Sequence, residues 1–479
     1  EIWQSANMSF AVNNMLTQGA IELLENHGTK NQKEKYLANL ISGKWSGTMN
    51  LTEPHAGSDL SLIKTKANKN NEDYLIKGTK IYITHGDQDM SENIIHLVLA
   101  RTPNAPEGIK GISLFLVPKI LPNDDGSLGK ENAVECGSIE KKMGIKASPT
   151  CVMNYDNAKG WLVGELNKGM KAMFIMMNGA RLFVGIQGLG LSEVAYQSAL
   201  YYAKERLQGK AAIENSNRAD QILVHPEIRK NLLYIKAVNE GIRGLMLYTG
   251  LKYDLANLSD DDKIVNHSNN FVALMTPILK SYASDISIET TYKSLQIYGG
   301  HGYIHDHGIE QFARDARITT IYEGTNGIQA LDLIGRKMQM ENGQLIINLF
   351  NEIDDYINKV NTKQEMKKFI NQFDIAYSDL KESYSHIKSL NKKGSNELNS
   401  HAVELLKLFA LISIGYIWLK FIEISLDKQN DDFYISKIET GKFFLTKFLT
   451  ETEMLKKNIL SGGHLYNDFK DNYFETSYS

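Results

Sequence analysis

The stretch Ile321-Tyr322-Glu323-Gly324-Thr325-Asn326-Gly327-Ile328-Gln329 places one carboxylate at the mouth of a glycine-permitted turn, directly after an apolar, β-prone run. Such a layout suits a general base, because Glu323 can point into a cleft while the backbone N–H groups beside it face the same space. Taken alone the stretch is ambiguous: a Glu before Gly is commonly a solvated residue at a helix entry. Its company upstream decides between the two readings.

The 479 residues suffice for about three structural units and a large core, and 42% apolar content is ordinary for a globular chain. A formal net charge of -3 creates no field toward nucleic acid or an anionic membrane, so neither partner is expected. Cys136 and Cys151 form no CxxC pair or metal cluster. They read as small apolar side chains in a reducing compartment, cytoplasmic in a bacterium or the mitochondrial matrix in a eukaryote. The longest mostly apolar run, Leu408 to Leu419 between Lys407 and Lys420, is too short for a bilayer, so no transmembrane segment is expected. No signal peptide is visible. The chain opens on Glu1 within a helical pattern, which reads as a fragment or processed product with helices missing before it.

Periodicity predicts an α+β fold in four segments, at about residues 1–45, 46–160, 161–337 and 338–479. The first is helical, with Val12, Met15, Leu16, Ile21, Leu23 and Leu24 at helical spacing and a stop at His27-Gly28. The second is a small antiparallel barrel or sandwich, with Lys77-Gly78-Thr79-Lys80 read as a hairpin turn between Tyr74-Leu75-Ile76 and Ile81-Tyr82-Ile83. The third is a helical bundle in which Gly185, Gly188 and Gly190 serve close packing, not a dinucleotide fingerprint. The fourth is a further helical unit rich in Lys, Asn and Glu, without a catalytic constellation and suited to packing and oligomerisation.

Three upstream segments offer chemistry. In Met49-Asn50-Leu51-Thr52-Glu53-Pro54-His55-Ala56-Gly57-Ser58-Asp59, the hydroxyls of Thr52 and Ser58 flank a Pro/Gly turn that bares backbone N–H groups, fit for a polar ring or a phosphate, or for an ordinary loop. In Tyr82-Ile83-Thr84-His85-Gly86, strand alternation puts Tyr82 and Thr84 on one face, as a flat heteroaromatic ligand or a half-buried strand would require. In Gln296-Ile297-Tyr298-Gly299-Gly300-His301-Gly302-Tyr303, glycines permit close approach of a backbone or a pyrophosphate. His301, His305 and His307 lack a carboxylate or cysteine at a ligand spacing, so no metal is expected.

In this order and at these separations, the segments resemble the acyl-CoA dehydrogenase family over about residues 1–337. The long C-terminal unit resembles the larger branch that includes 3-methylmercaptopropionyl-CoA dehydrogenase. The resemblance implies a helix–barrel–helix architecture and a non-covalent FAD. Met49, Leu51 and Thr52 would line the isoalloxazine ring, with Tyr82 and Thr84 near N5. Arg206, Gln296, Gly299 and Gly300 would hold the FAD of a neighbouring subunit, which implies a homodimer or homotetramer, and Thr325 would contribute to the cofactor site. Ser58, Asn178, Arg181, Tyr322 and Gly324 would contact the acyl-CoA substrate.

The implied reaction is dehydrogenation: Glu323 removes the α-proton while a hydride leaves the β-carbon for flavin N5, giving a trans-2-enoyl-CoA, with electrons passed to electron-transferring flavoprotein. Hydrogen bonds to the thioester oxygen and burial beside the acyl chain would bring the acidities of substrate and Glu323 together. The alternatives are an acyl-CoA oxidase and a DNA-damage-response homologue, for which the Lys392-Lys393 and Lys456-Lys457 pairs offer only short basic runs. The helices around 173 to 186 and 289 to 298 would set acyl length, with Met173, Met176 and Met177 as an adaptable wall or plain core, and medium or long straight chains are expected. Several positions depart from the family pattern. Gly327 stands where members often carry Gln, leaving that contact to Asn326 or to nothing; a CoA-contacting arginine implied near Gly335 is absent there, with Arg336 one place off. His55 stands for Gly, Tyr82 for Trp, and Gln208 directly precedes Gly209 where a Phe is common.

Overall fold

The computed structural model describes residues 1–210, 219–390 and 396–475, so that Lys392-Lys393 lies outside the described residues. Contacts gather the chain into two compact units, Ile2–Val184 and Gly185–Ser479 with Glu1. The segments expected at about 1–45 and 46–160 thus share the first unit, and the one at 338–479 belongs to the second.

In the first unit, α1 (Ile2–His27) and α2 (Lys30–Ile41) meet at Gly28, where an added Cβ would lie 2.6 Å from the Leu24 carbonyl oxygen. Thr29 and Gln32 then form a reciprocal capping box that starts α2. Nine strands follow: β1 (Trp45–Asn50), β2 (Lys66–Asn70), β3 (Asp73–Thr84), β4 (Asn93–Arg101), β5 (Ile112–Pro118), β6 (Ile120–Pro122), β7 (Leu128–Glu131), β8 (Val134–Ile139) and β9 (Thr150–Val163). Pairing runs β4–β5–β9–β3–β2 and returns to β4 at Lys66↔Arg101, which closes the expected barrel. It is not purely antiparallel, because β1 joins β4 in parallel and the closing β2–β4 contact is parallel. Arg101 secures that closure by donating to the carbonyls of Ser61, Ile63, Pro106 and Gly108. Ile76, Val98, Phe115, Val117 and Cys151 fill the interior, and burial pushes the Cys151 thiol up to about 12, as befits a packing residue.

The expected turn at Lys77-Gly78-Thr79-Lys80 does not form: β3 runs through it, and the hairpin turn lies at Asn71-Glu72. Gly78 serves a different need. Its φ is +157°, and a Cβ there would sit 2.5 Å from Thr65 Oγ1, so glycine admits the neighbouring chain at a register shift.

One long helix, α3 (Gly169–Glu205), carries the unit boundary. The second unit continues with α4 (Pro226–Leu258), α5 (Asp262–Ile297), α6 (Ile309–Ala316), α7 (Asn326–Gly335), α8 (Gln344–Val360), α9 (Lys367–Ser389), α10 (Asn396–Asn399), α11 (Ala402–Leu426), α12 (Asp432–Lys447), α13 (Glu451–Leu460) and α14 (His464–Asn467). Gly185 and Gly188 pack closely as expected: a Cβ at Gly188 would meet the Ala283 carbonyl oxygen at 2.7 Å. Gly241 does the same between α4 and α11, facing Ile414 at 2.5 Å, so the C-terminal helices share a core with the bundle.

Among the described residues, two stretches, Gly169–Glu205 and Asn396–Leu426, are long and apolar enough to cross a membrane, with mean hydropathy 1.3 and 1.8 over an 18-residue window. The second therefore extends past the Leu408–Leu419 run on which its length was judged. Burial of 56% and 83% of those windows inside the structure matches core helices.

A half-buried polar cluster ties α8 to α4, α5 and α11. Glu352 accepts from Tyr248 at 2.5 Å, His267 at 2.7 Å, Lys252 at 3.1 Å and Tyr416 at 3.3 Å. Burial alone would raise its pKa, but these bonds and the Lys252 charge hold it at about 2. Because the folded pKa lies below that of the unfolded chain, the stabilisation is present above the ordinary carboxylate range near 4.5 and is lost as pH falls toward about 2. Glu352→Gln should therefore flatten the acid limb of an unfolding-versus-pH profile between those values; an unchanged limb would remove Glu352 from that account.

Candidate active site

The apolar run before Glu323 is a 3-10 turn, Arg317–Thr320, and not a strand. Thr319 Oγ1 donates to the Ala316 carbonyl at 2.7 Å, one of the local side-chain bonds that keep this β-branched run coiled behind α6. The chain then enters a left-handed turn, with φ +59° at Glu323 and +84° at Gly324. For Gly324 that conformation is free of a Cβ clash; for Glu323 it costs about 1–2 kcal/mol. Such a residue persists where its surroundings over-determine it. Here they do. Gln329 Nε2 donates to the carbonyls of Glu323 and Gly324, each at 3.2 Å, and Lys280 Nζ donates to Gly324 O at 2.8 Å. Thr325 caps α7 by accepting from Ile328 N at 3.3 Å. Tyr322 donates to the buried Gln187 amide, and burial first, the Glu323 charge second, push its phenol well above the ordinary range. Glu323 itself is half-buried.

The Asn326 side chain is committed inward. Its amide donates to Asp285 at 2.7 Å and Ser284 at 3.0 Å, and its oxygen accepts from Lys280 at 2.9 Å. Arg336 pairs with Asp332 within its own turn. Arg206 lies exposed just past α3, and Gln296, Gly299 and Gly300 lie exposed at the end of α5. Nothing stands within 4 Å of a Cβ built on Gly299 or Gly300, whereas one on Gly302 would meet Leu295 O at 2.4 Å. Tyr202 stacks on Tyr298 at 4.1 Å and bonds His301 Nδ1 at 3.0 Å, while His305 bonds Glu310 at 2.6 Å. Among the described residues no group of three His, Cys, Asp or Glu could hold a metal.

In the barrel unit, Met49 and Thr52 are half-buried and Leu51 is buried at the end of β1. The loop that follows is pinched by reciprocal backbone bonds between Glu53 and Ala56, and Ile81 N donates to Thr52 O at 2.9 Å, which sets Thr52 beside Tyr82. Tyr82 is 61% exposed at φ +59° inside a register shift of β3, Ile83 turns into the core, and Thr84 is half-buried. His85 behind them is buried against Ser9 and Ser148, and burial holds its pKa at about 4.

Ser58 is exposed in the same loop, ahead of Asp59, which caps a short 3-10 turn. His55 folds across it, its Nε2 3.1 Å from Leu62 O. On α3, Asn178 is half-buried and Arg181 buried. Met173 and Met176 are core residues, Met176 lying against Gly19.

Two groups of supporting residues have no part in the sequence reading. Glu53, 3% exposed, accepts from Lys64 N at 2.7 Å, Thr65 N at 3.0 Å, Thr65 Oγ1 at 2.6 Å and the fully buried Lys80 Nζ at 2.8 Å, while Lys80 also donates to Leu51 O. Lys280 and Gln329, both fully buried, brace the Glu323 turn. The available signal was a lone lysine on an otherwise apolar face, at the inward register of β3 and in the middle of α5.

Residues 48–158 match the description "Acyl-CoA dehydrogenase, middle domain", 167–339 "Acyl-CoA dehydrogenase, C-terminal domain" and 349–470 "Acetyl-CoA dehydrogenase C-terminal like". The chain is 48% identical to 3-methylmercaptopropionyl-CoA dehydrogenase of Ruegeria pomeroyi over 72% of its own length and 58% of that protein's, so it spans less than two thirds of that relative. It is 33% identical to butyryl-CoA dehydrogenase of Syntrophomonas wolfei over 93% of its length and 76% of the relative's. Its fold superposes on acyl-CoA dehydrogenase complexed with FAD from Bacillus anthracis with a TM-score of 0.72, at 25% identity over 91% of this chain and 72% of that one. The turn and loops described above therefore sit in a sequence that belongs to the acyl-CoA dehydrogenase family.

Proposed function

We propose that the protein is an FAD-dependent acyl-CoA dehydrogenase that converts an acyl-CoA to the trans-2-enoyl-CoA, with Glu323 as the base that takes the α-proton. The observation that carries this reading is the braced left-handed turn, which fixes a half-buried carboxylate on a strained backbone. A solvated helix-entry residue needs no such support.

The residues fit the cofactor. Tyr82 offers an exposed ring beside Thr52 and Thr84, and Gly299 and Gly300 bare a backbone with open space above it. In this reading Met49, Leu51, Thr52, Tyr82 and Thr84 hold the isoalloxazine, and Arg206, Gln296, Gly299 and Gly300 hold the adenosine diphosphate part. Thr325 is spoken for as a helix cap, so its contribution is to shape the turn. Bound FAD supplies the acceptor for the β-hydride. Ser58, Asn178, Arg181, Tyr322 and Gly324 bind and orient the thioester, and the Glu323 N–H donates to its oxygen as the α-proton leaves.

The two bacterial relatives are named for 3-methylmercaptopropionyl-CoA and butyryl-CoA, both short acyl groups, which favours a short chain over the medium or long one expected from sequence. Burial of Met173 and Met176 supports the plain-core reading of that cluster. A homo-oligomer and electron-transferring flavoprotein as acceptor complete the proposal. Nucleic acid is a poor fit, since Lys456 pairs with Asp379 and Glu382 and Lys457 with Glu453.

The test is an anaerobic titration of the flavin absorbance with 3-methylmercaptopropionyl-, butyryl-, octanoyl- and palmitoyl-CoA. Bleaching by the short thioesters is expected. Bleaching only by the long ones would overturn the chain-length assignment, and a flavin bleached by none would overturn the dehydrogenase reading. Oxygen-driven turnover without an added acceptor would make it an oxidase.

A further inference from the structure

We infer that Lys280 is a positioning residue for the reaction, acting through the Glu323-Gly324 turn; this rests on the dehydrogenase reading for its catalytic consequence but not for its structural one. Lys280 is fully buried in the middle of α5, where an ammonium needs strong compensation. Two of its donors end on the turn region: one on the Gly324 carbonyl at 2.8 Å, one on Asn326 Oδ1 at 2.9 Å. Asn326 carries the load onward to Ser281, Ser284 and Asp285, so a chain of hydrogen bonds fastens the first turn of α7 to α5. Gln329 takes the carbonyls of Glu323 and Gly324 from the α7 side. Both carbonyls after the Glu323 side chain are thus drawn to donors, and because each peptide is planar the Gly324 and Thr325 N–H groups are turned the opposite way.

The consequence is directional. Left-handed backbone at Glu323 is not its relaxed state, and without the ammonium the Gly324 carbonyl keeps only its longer bond to Gln329, so its peptide flips more readily toward a commoner conformation. That swing would move the Glu323 carboxylate relative to the α-carbon it serves. A displacement on the order of 1 Å is enough to cost about a hundredfold in rate while leaving substrate affinity nearly intact. Asp285, whose carboxyl is raised above the ordinary range by burial, completes the inward cluster without touching the turn directly.

The experiment compares Lys280→Met, which keeps the bulk of the side chain and removes its donors, with Gln329→Leu as a second probe of the same turn should the first fail to fold. Two readouts are taken. Hydrogen exchange of peptides covering residues 321–328 should accelerate at least about tenfold in either variant while peptides of the barrel stay unchanged. Anaerobic flavin reduction by butyryl-CoA should fall about a hundredfold with KM moving less than about threefold. The same substitution placed in a Glu323→Gln background should add almost nothing to the loss, since a residue acting through Glu323 has nothing left to position. A folded variant with unchanged exchange overturns the proposal. So does an equal additional loss in both backgrounds, which would mark a general structural lesion. Accelerated exchange in a protein whose unsubstituted form butyryl-CoA does not reduce would retain the bracing role and reject butyryl-CoA as substrate.

Discussion

Glu323→Gln should leave a yellow, folded protein that binds acyl-CoA and reduces its flavin about two to four orders of magnitude more slowly, the range that a positioned acid or base contributes. The substitution is close to isosteric, and the interactions that hold residue 323 in place run through its backbone, to Gln329 and the adjoining Gly324 carbonyl, which the change does not touch. Its effect should therefore fall on proton transfer, with little change in substrate dissociation constant. Rapid-reaction measurement of flavin bleaching at saturating butyryl-CoA decides the matter. A loss under tenfold would show that another group takes the proton. Simultaneous loss of flavin would instead make Glu323 structural.

The comparison of sequence and structure follows a physical line. Features written in local chemistry were legible: the stop at Gly28, the close helix contact at Gly188, and the turn at Gly324 each depend on one residue type and its immediate neighbours. The misread ones depend on partners distant in sequence. Gly78 looked like a hairpin turn because its reason for being glycine is Thr65, thirteen places upstream and just before the neighbouring strand. Ile318 to Ile321 read as a β-prone run because composition cannot see that the segment continues from α6 through a 3-10 turn. The bracing residues were invisible for the same reason. Nothing near Lys280 in the sequence announces a carbonyl 44 positions away, and Glu53 gives no sign of Lys80, 27 positions on. Yet a charge on an apolar face is itself a signal, since burying it uncompensated is prohibitive. Such a residue predicts a partner before the partner is known.

The ion pair beneath the barrel loop provides the largest stability effect expected in the molecule. An exposed pair such as Lys30 with Glu34 contributes about 0.3–0.5 kcal/mol, because water already solvates both groups. Glu53 and Lys80 are 3% and 0% exposed, so removing either leaves the other charge buried. Lys80→Met should therefore destabilise the barrel unit by about 3–5 kcal/mol. The lower end is expected, since the two backbone N–H groups and the Thr65 hydroxyl still receive Glu53. Burial would raise the Glu53 carboxyl, and Lys80 is the main influence that brings it below its ordinary range; without the lysine the carboxyl rises, while the Thr65 and Lys64 donors still favour its charged form. Adding Glu53→Gln to Lys80→Met removes that orphan charge and should recover part of the loss, the sign that distinguishes an unpaired ion from a mere cavity. Urea unfolding followed through Trp45, buried in the same unit, measures both. A loss below about 0.5 kcal/mol for Lys80→Met would mean that water reaches the pair and that the loop bearing Thr52 and Ser58 is held by its backbone bonds alone.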